Sequence, residues 1–234
     1  MHSLKNTTTL MMRENWLKMR FSAWSKIKIT TKVDPASNVK EIVKENSKDD
    51  PSLFILPNEP LNSKIVNYAL YVKFWQLIPE FLRIRSPELI FRATDNGYNI
   101  HTFYSKCEEY TETYFFCLIF VKTLEGQIFG CLIDEMPLSN SRNTFQGSFE
   151  SFVFSLEPEV ASYKSTGNNE YHMLADLNYL AIGMGGDGPA LRVDETLSTG
   201  WSYKCVTYDN QVLIDVADKF KNEFQVQDFE AFIF

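Results

Sequence analysis

The sequence predicts an α+β protein that is mainly β: a two-sheet antiparallel β-sandwich flanked by helices, with an N-terminal helical or extended arm. Three observations support this class. Short apolar runs of strand length recur through the second half of the chain, and glycines and Asn/Asp clusters separate them. Only two stretches ahead of these runs have helical periodicity in the body of the chain. Many short strands with few helices are typical of two packed antiparallel sheets.

Two helices are predicted before the main run of strands. Residues 62–82 carry an apolar stripe at helical spacing, which Pro79 interrupts. The triplet Asp95-Asn-Gly97 is a tight-turn signal, because Asn-Gly readily adopts positive φ. After this turn, Ile100, Phe103 and Tyr104 have the i, i+3, i+4 spacing of one helical face.

The clearest strand prediction is a hairpin. Residues 115–120 and 127–133 are apolar runs joined by the turn Leu124-Glu-Gly126. Residues 88–92 are predicted to form an earlier strand. Further strands are predicted at residues 151–155, 171–175, 179–182, 190–193 and 229–234.

Composition predicts two regions, a basic arm with a linker at residues 1–60 and a domain at residues 61–234. The 234 residues include 19 Phe, 11 Tyr and 4 Trp, which supply ample core and exclude disorder throughout. Residues 31–60 are polar, charged and proline-containing, which is linker composition. No apolar run approaches the roughly 18 residues that cross a bilayer.

Charge is unevenly distributed along the chain. The net charge is −7, yet residues 1–33 hold seven Lys/Arg and one acidic residue, Glu14. The remaining body is therefore strongly acidic and does not suit a phosphate backbone, so nucleic acid is not an expected partner for it. The basic arm could attract RNA, an anionic membrane surface or an acidic protein.

The arm contains a predicted amphipathic helix at about residues 10–24. Leu10, Leu17, Phe21 and Trp24 share one face and are candidate partner-binding residues. Three interpretations stay open: an interfacial membrane helix, a helix in a partner's groove, or a helix packed on its own domain. The expected location is the cytoplasm or the cytosolic face of an organelle, with a mitochondrial transit peptide as the alternative.

The sequence motifs predict no catalytic set, no cofactor and no metal site. Residues 183–188 match G-x-G-x-x-G, but Pro189 and a predicted strand follow instead of a helix, so they indicate a glycine loop between strands. The four cysteines show neither C-x-x-C nor zinc spacing, which favours a reducing compartment. His101 and His172 are interpreted as structural or surface residues.

Three carboxylates are candidate partner-binding residues. Asp194 and Glu195 are adjacent on a predicted strand, where neighbouring side chains point to opposite faces. Glu150 is a charge among aromatics at the start of a strand. It could anchor a partner or a neighbouring loop's amides, or it could simply be solvated.

An ordered series of motifs resembles the TLDc domain family, which includes oxidation-resistance and TBC-TLDc proteins. The resemblance runs from about residue 77 to residue 234. The segments that carry it are Gly97-Tyr-x-x-x-Thr-Phe-Tyr104, Gly126-x-x-Phe-Gly130, Gly147-Ser-Phe-Glu-Ser-Phe-Val-Phe-Ser-Leu156, Tyr163-Lys-Ser-Thr-Gly167, Leu180-Ala-Ile-Gly183, Leu191-x-x-Asp-Glu-x-Leu197 and Asp228-Phe-Glu-Ala-Phe-Ile-Phe234.

The resemblance implies a β-sandwich with no enzyme activity of its own. Family members are implicated in oxidative-stress resistance, and several bind the vacuolar ATPase, so a protein-interaction module that binds a large complex is expected. Glu150 and the loop at Asp194 are where the resemblance suggests looking for such contacts. The alternatives are a constitutive structural subunit anchored by the arm and, less favoured, a cysteine-based antioxidant enzyme. A GTPase-activating role belongs to the TBC part of relatives and has no support in these motifs.

Overall fold

The computed structural model describes residues 56–57, 59–111, 116–139, 144–215 and 222–234. The helices in this part of the chain are α1 (Tyr68–Trp75), α2 (Ala93–Asn96) and α3 (Ile100–Glu108). The strands are β1 (Glu88–Arg92), β2 (Cys117–Thr123), β3 (Ile128–Ile133), β4 (Phe152–Glu157), β5 (Ala161–Lys164), β6 (Met173–Ala175), β7 (Tyr179–Ile182), β8 (Leu191–Asp194), β9 (Thr199–Trp201) and β10 (Glu223–Ile233).

The predicted class, α+β and mainly β, is confirmed, and every pair among these strands is antiparallel. The two predicted sheets are continuous, because both include β10. The order is β5-β4-β3-β2-β10-β9-β8-β7-β6, with β1 also paired to β10. The first residues of β10 pair with β9, and residues from Val226 onward pair with β2. A register shift between Val226 and Asp228 marks an irregularity of the kind that bends a strand.

The main core lies between the two halves of this sheet. Ile119 and Val121 of β2 belong to the same buried cluster as Ile182 of β7 and Val193 of β8. The alternate residues of β2, Leu118 and Phe120, belong to a second cluster with α1. Successive residues of a strand point to opposite faces, so β2 is buried on both faces. This double burial explains its continuous apolar sequence.

Helix α1 packs on the outer face of the sheet through aromatic contacts. The ring of Phe74 lies 5.1 Å from that of Phe120 and 4.7 Å from that of Phe154. Its N-terminus is capped by Asn67, whose side-chain oxygen accepts a hydrogen bond of 3.0 Å from the Leu70 amide. The apolar stripe predicted a helix over residues 62–82, and the observed helix, Tyr68–Trp75, is shorter.

Helix α3 confirms the predicted face. Ile100, Phe103 and Tyr104 are all buried in the main core. The Asn99 side chain caps the helix by accepting from the amide of His101 at 2.8 Å. Gly97 has the expected positive φ of 93°, although the two residues before it end α2 rather than forming a free turn.

A buried ion-pair cluster fixes the segment before α1 to the sheet. The Arg92 Nε lies 2.6 Å from Glu230 Oε1, and the Glu230 side chain is fully buried. Glu230 also accepts hydrogen bonds from the Ser63 hydroxyl at 2.5 Å and the Lys64 amide at 2.8 Å. Arg92 bonds Asp95 at 2.8 Å as well. We call these five residues the Arg92–Glu230 cluster.

Most predicted strands are confirmed, with shifted ends. The β2–β3 hairpin and β7 are found where expected, and residues 183–188 connect β7 to β8 as a glycine loop. Residue 115 of the predicted hairpin lies outside the described residues. Strands β5 and β9 were not predicted. β5 is a polar edge strand, and β9 contains Gly200, where an added Cβ would lie 2.3 Å from the Phe224 ring.

Candidate functional site: an aromatic groove

An open groove with a volume of about 430 Å³ lies between the segment that precedes β4 and the segment that precedes β6. We call it the aromatic groove, and its lining residues are Phe145, Gly147, Ser148, Phe149, Glu170, Tyr171 and His172. An isolated bridge between Gln146 and Met173 joins its two walls. The groove therefore forms between two segments that are far apart in sequence.

Three aromatic side chains give the groove its surface. The rings of Phe145 and Tyr171 lie 4.6 Å apart with planes 35° from parallel. The Phe149 residue is 51% exposed and Tyr171 is 45% exposed. Aromatic side chains that remain exposed beside one another are typical of surfaces that bind partners.

Two carboxylates beneath the groove hold its first wall. Asp134, which is buried, accepts hydrogen bonds from the Ser148 amide at 2.7 Å, from the Ser148 hydroxyl and from the Ser151 hydroxyl at 2.8 Å. Glu135 accepts from the Gly147 amide at 2.8 Å. Gly147 has a φ of 88°, and a Cβ there would lie 3.3 Å from His172. The wall is thus fixed before any partner binds.

His172 lies at the base of the groove with unmet hydrogen-bonding capacity. It is only 1% exposed, and its ring lies edge-to-face 5.2 Å from the Phe149 ring. Neither ring nitrogen has a hydrogen-bond partner among the described residues. Burial lowers the pKa of the imidazole, against the opposing effect of Asp134 and Glu170. A neutral imidazole has one donor and one acceptor, and the described residues use neither of them.

The predicted carboxylates occupy three different environments. Glu150 directly follows Phe149 at the edge of the groove and is half-buried. Burial lowers the pKa of the Lys164 amine, and Glu150 opposes that shift, which indicates that the two charges are close. The Asp194 carboxylate is used inside its own turn, where it accepts from the Ser198 amide at 3.1 Å.

Glu195 is exposed, and its backbone carbonyl accepts from the Ile100 amide at 2.9 Å, at the start of α3. Neither Asp194 nor Glu195 lines the aromatic groove. The candidate arm residues Leu10, Leu17, Phe21 and Trp24 lie outside the described residues.

All four cysteines of the chain are buried free thiols. Burial raises the pKa of Cys107, Cys131 and Cys205. A thiol with a raised pKa holds little of the thiolate that reacts with peroxides. Within the described ranges no cluster of three or more His, Cys, Asp or Glu could hold a metal ion. In the same residues no helix is long and apolar enough to cross a bilayer.

Comparison with known families agrees with the series of motifs. The family model for the TLDc domain matches residues 60–234. The chain belongs to the TLDc domain family. The aromatic groove and the Arg92–Glu230 cluster both lie inside the matched part of this TLDc protein.

The curated relatives are much longer proteins. Oxidation resistance protein 1 of Homo sapiens is 38% identical over 117 residues, 50% of this chain and 13% of the relative. Its counterpart in Xenopus tropicalis is 29% identical over 209 residues, 89% of this chain and 22% of the relative. The GTPase-activating protein skywalker of Drosophila melanogaster is 28% identical over 160 residues, 62% of this chain and 26% of the relative. This TLDc protein therefore matches at most about a quarter of the length of these relatives.

Sequence reasoning identified Glu150 but missed most of the groove. The missed signals were an acidic pair, Asp134-Glu135, directly after an apolar strand, and two serines three residues apart in the next segment. Tyr171 was predicted as the first residue of a strand at residues 171–175, whereas the strand begins at Met173. Phe145 lies six residues before the predicted strand at residues 151–155. Aromatics in such positions can mark a surface as well as a core, and the sequence did not distinguish the two.

Proposed function

We propose that this TLDc protein is a non-catalytic interaction module that binds a large complex and contributes to oxidative-stress resistance. By family resemblance, the vacuolar ATPase is the first complex to test. The observation that carries the proposal is the aromatic groove. It combines exposed aromatic rings with a wall held by hydrogen bonds to the buried Asp134 and the half-buried Glu135. Such preorganisation lowers the entropy lost on binding.

The state of the cysteines supports a non-catalytic role. A peroxide-reducing cysteine needs an accessible thiolate. Here each cysteine is at most 4% exposed, and three of the thiols have raised pKa values. Protection against oxidants through a bound complex fits these thiols better than direct reaction with peroxide.

Affinity purification of the tagged full-length chain tests the proposal. We expect vacuolar ATPase subunits to be recovered with the wild type and reduced several-fold by the double variant Phe149→Ala/Tyr171→Ala. The matched control is Leu124→Ala, which truncates a side chain that is 65% exposed at the tip of the β2–β3 hairpin. Recovery that is unchanged in the groove variant would remove the groove from the proposal.

The same purification addresses the second candidate, a constitutive structural subunit. A different stable complex that withstands the groove variant, but is lost when Leu17 and Phe21 are changed to Ser, would favour that candidate. The absence of any captured complex from the wild type would contradict both.

The antioxidant-enzyme alternative is tested with cells that express single Cys→Ala variants. We expect each variant to keep peroxide protection, because none of the thiols is exposed. Loss of protection in one well-folded variant, with the others unaffected, would show direct cysteine chemistry and would contradict the proposed function.

A further inference from the structure

The charge around the aromatic groove indicates which side chain it would accept. Glu170 lines the groove and is exposed, and none of the described lining residues is Lys or Arg. Both Glu170 and Asp134 act electrostatically on His172 in the direction that favours a positive charge. A positive group placed in the groove would therefore be stabilised.

The aromatic rings add a preference for a flat cation. The rings of Phe145 and Tyr171 lie 4.6 Å apart in a tilted pair, and Tyr171 keeps 45% of its surface exposed. Cations are attracted to the faces of aromatic rings. Arginine stacks on such faces and is more weakly hydrated than lysine, so it loses less hydration when it enters the groove.

His172 supplies an acceptor that no described protein group uses. Its two ring nitrogens are buried beside Phe149 and have no hydrogen-bond partner in the part of the chain that the structure describes. Leaving a buried polar group unpaired is unfavourable, and a ligand that donates a hydrogen bond removes that penalty. Phe149 is half exposed, so rotation of its side chain would open the imidazole to a donor.

We infer that the aromatic groove binds an arginine side chain of a partner protein. The guanidinium stacks on Tyr171, lies near the Glu170 carboxylate and donates a hydrogen bond to the unprotonated nitrogen of His172. This inference rests on the proposed function, since it names the chemistry by which the interaction module recognises its partner.

The direct test uses a matched pair of peptides with the full chain. The probe is Ac-Gly-Arg-Gly-NH2, and its neutral control is the same peptide with citrulline in place of arginine. Binding is followed by the backbone amide shifts of Gly147, Ser148 and Tyr171. We expect saturable shifts with the arginine peptide and an affinity about threefold higher than for the citrulline peptide, the size of an exposed cation–π contact.

Three variants separate the contributions. Glu170→Gln is expected to weaken arginine binding by about threefold while leaving citrulline binding unchanged, the size of an exposed ion pair. Tyr171→Leu keeps the apolar surface but loses the aromatic face, so it should reduce arginine binding selectively. His172→Phe keeps the edge-to-face contact with Phe149 and removes the acceptor, so it should weaken binding of both peptides.

Several outcomes would overturn the inference. Equal affinity for arginine and citrulline peptides, or no saturable shift at the groove amides, would show that no cation is recognised. Equal affinity for a lysine peptide would remove the preference for arginine. Peptide binding that appears only in Arg13→Ala/Arg20→Ala would assign the groove to the chain's own arm instead of a partner.

Failure of this inference differs from failure of the proposed function. If the wild type and Glu170→Gln capture the same complex equally well, the arginine inference is wrong and the interaction module stands. If the wild type captures no complex but binds the arginine peptide selectively, the proposed function fails and the groove chemistry remains.

Discussion

The Arg92–Glu230 cluster and the aromatic groove each contain a buried polar side chain, and the two side chains differ in whether their hydrogen bonds are satisfied. Glu230 is completely buried, and both of its oxygens are bonded. His172 is 1% exposed, and neither of its ring nitrogens has a partner in the described part of the chain. A saturated buried network holds a fold together, whereas an unsatisfied group beside a groove leaves capacity for a ligand.

The largest expected effect on stability comes from breaking the Arg92–Glu230 cluster. Glu230→Ala leaves the Arg92 guanidinium buried without its main partner. It also removes the acceptor of the hydrogen bonds from the Ser63 hydroxyl and the Lys64 amide. We expect a loss of roughly 3–5 kcal/mol in the free energy of unfolding, measured by urea denaturation.

The matched control is Lys106→Ala, which breaks an exposed ion pair with Glu109. This change should alter the free energy of unfolding by no more than about 0.5 kcal/mol. Similar effects for the two variants would show that the buried cluster does not fix the fold.

A smaller effect is expected from the carboxylate that holds the groove wall. Asp134→Asn removes a charged acceptor from the Ser148 and Ser151 contacts. Hydrogen bonds to a charged group contribute about 1.5–3 kcal/mol, so we expect a loss near the lower end of that range.

The same variant should weaken partner capture, because the wall would no longer be fixed. Hydrogen exchange at the Ser148 amide gives a local readout. We expect this amide to exchange faster in Asp134→Asn than in the wild type, with a smaller change at the amides of β7. Unchanged exchange at Ser148 would contradict the role of Asp134 in holding the groove.

The smallest expected effect has the opposite sign. His172→Phe removes two buried nitrogens that have no partner among the described residues, and it keeps an aromatic ring beside Phe149. We expect this variant to be about 1 kcal/mol more stable than the wild type at neutral pH. It should at the same time weaken partner binding, so stability and binding would change in opposite directions.

Acid conditions should increase the difference in stability between His172→Phe and the wild type. Burial lowers the pKa of His172 in the folded state below its ordinary value of 6.5. Between the two pKa values the unfolded chain binds a proton that the folded chain does not, so wild-type stability falls as pH decreases from about 6.5. The His172→Phe variant should lack this part of the pH dependence, as measured by thermal unfolding between pH 7.5 and pH 5. Identical slopes would show that His172 titrates normally.

The sequence predicted those parts of the fold that depend on local pattern. Residues 128–133 lie wholly within the predicted strand at 127–133, and β7 has the predicted bounds, because continuous apolar character and turn residues define strands locally. Ile100, Phe103 and Tyr104 became the buried face of α3 for the same reason. Strand β5 was missed because an edge strand with polar residues carries no such pattern.

The groove could not be predicted in this way. Asp134 and Ser148 are 14 positions apart in sequence and Phe145 and Tyr171 are 26 apart, and nothing in either segment alone shows that they meet. Among the predicted site residues, Glu150 lies at the edge of the groove. Asp194 belongs to its own turn, since its carboxylate finds the Ser198 amide four residues away.

The sequence by itself determined the class of the fold and the burial of the apolar strands, because hydrophobic periodicity and turn chemistry act over short stretches of chain. Its ordered series of motifs indicated the family by resemblance. Only the tertiary structure decided where polar groups are satisfied. Glu230 is saturated because Ser63 and Lys64 donate hydrogen bonds to it. Among the described residues His172 has no hydrogen-bond partner, and the rings of Phe149 and Tyr208 lie beside its imidazole instead. Hydrogen-bond satisfaction depends on which distant segments meet, and that is a property of the packed sheet.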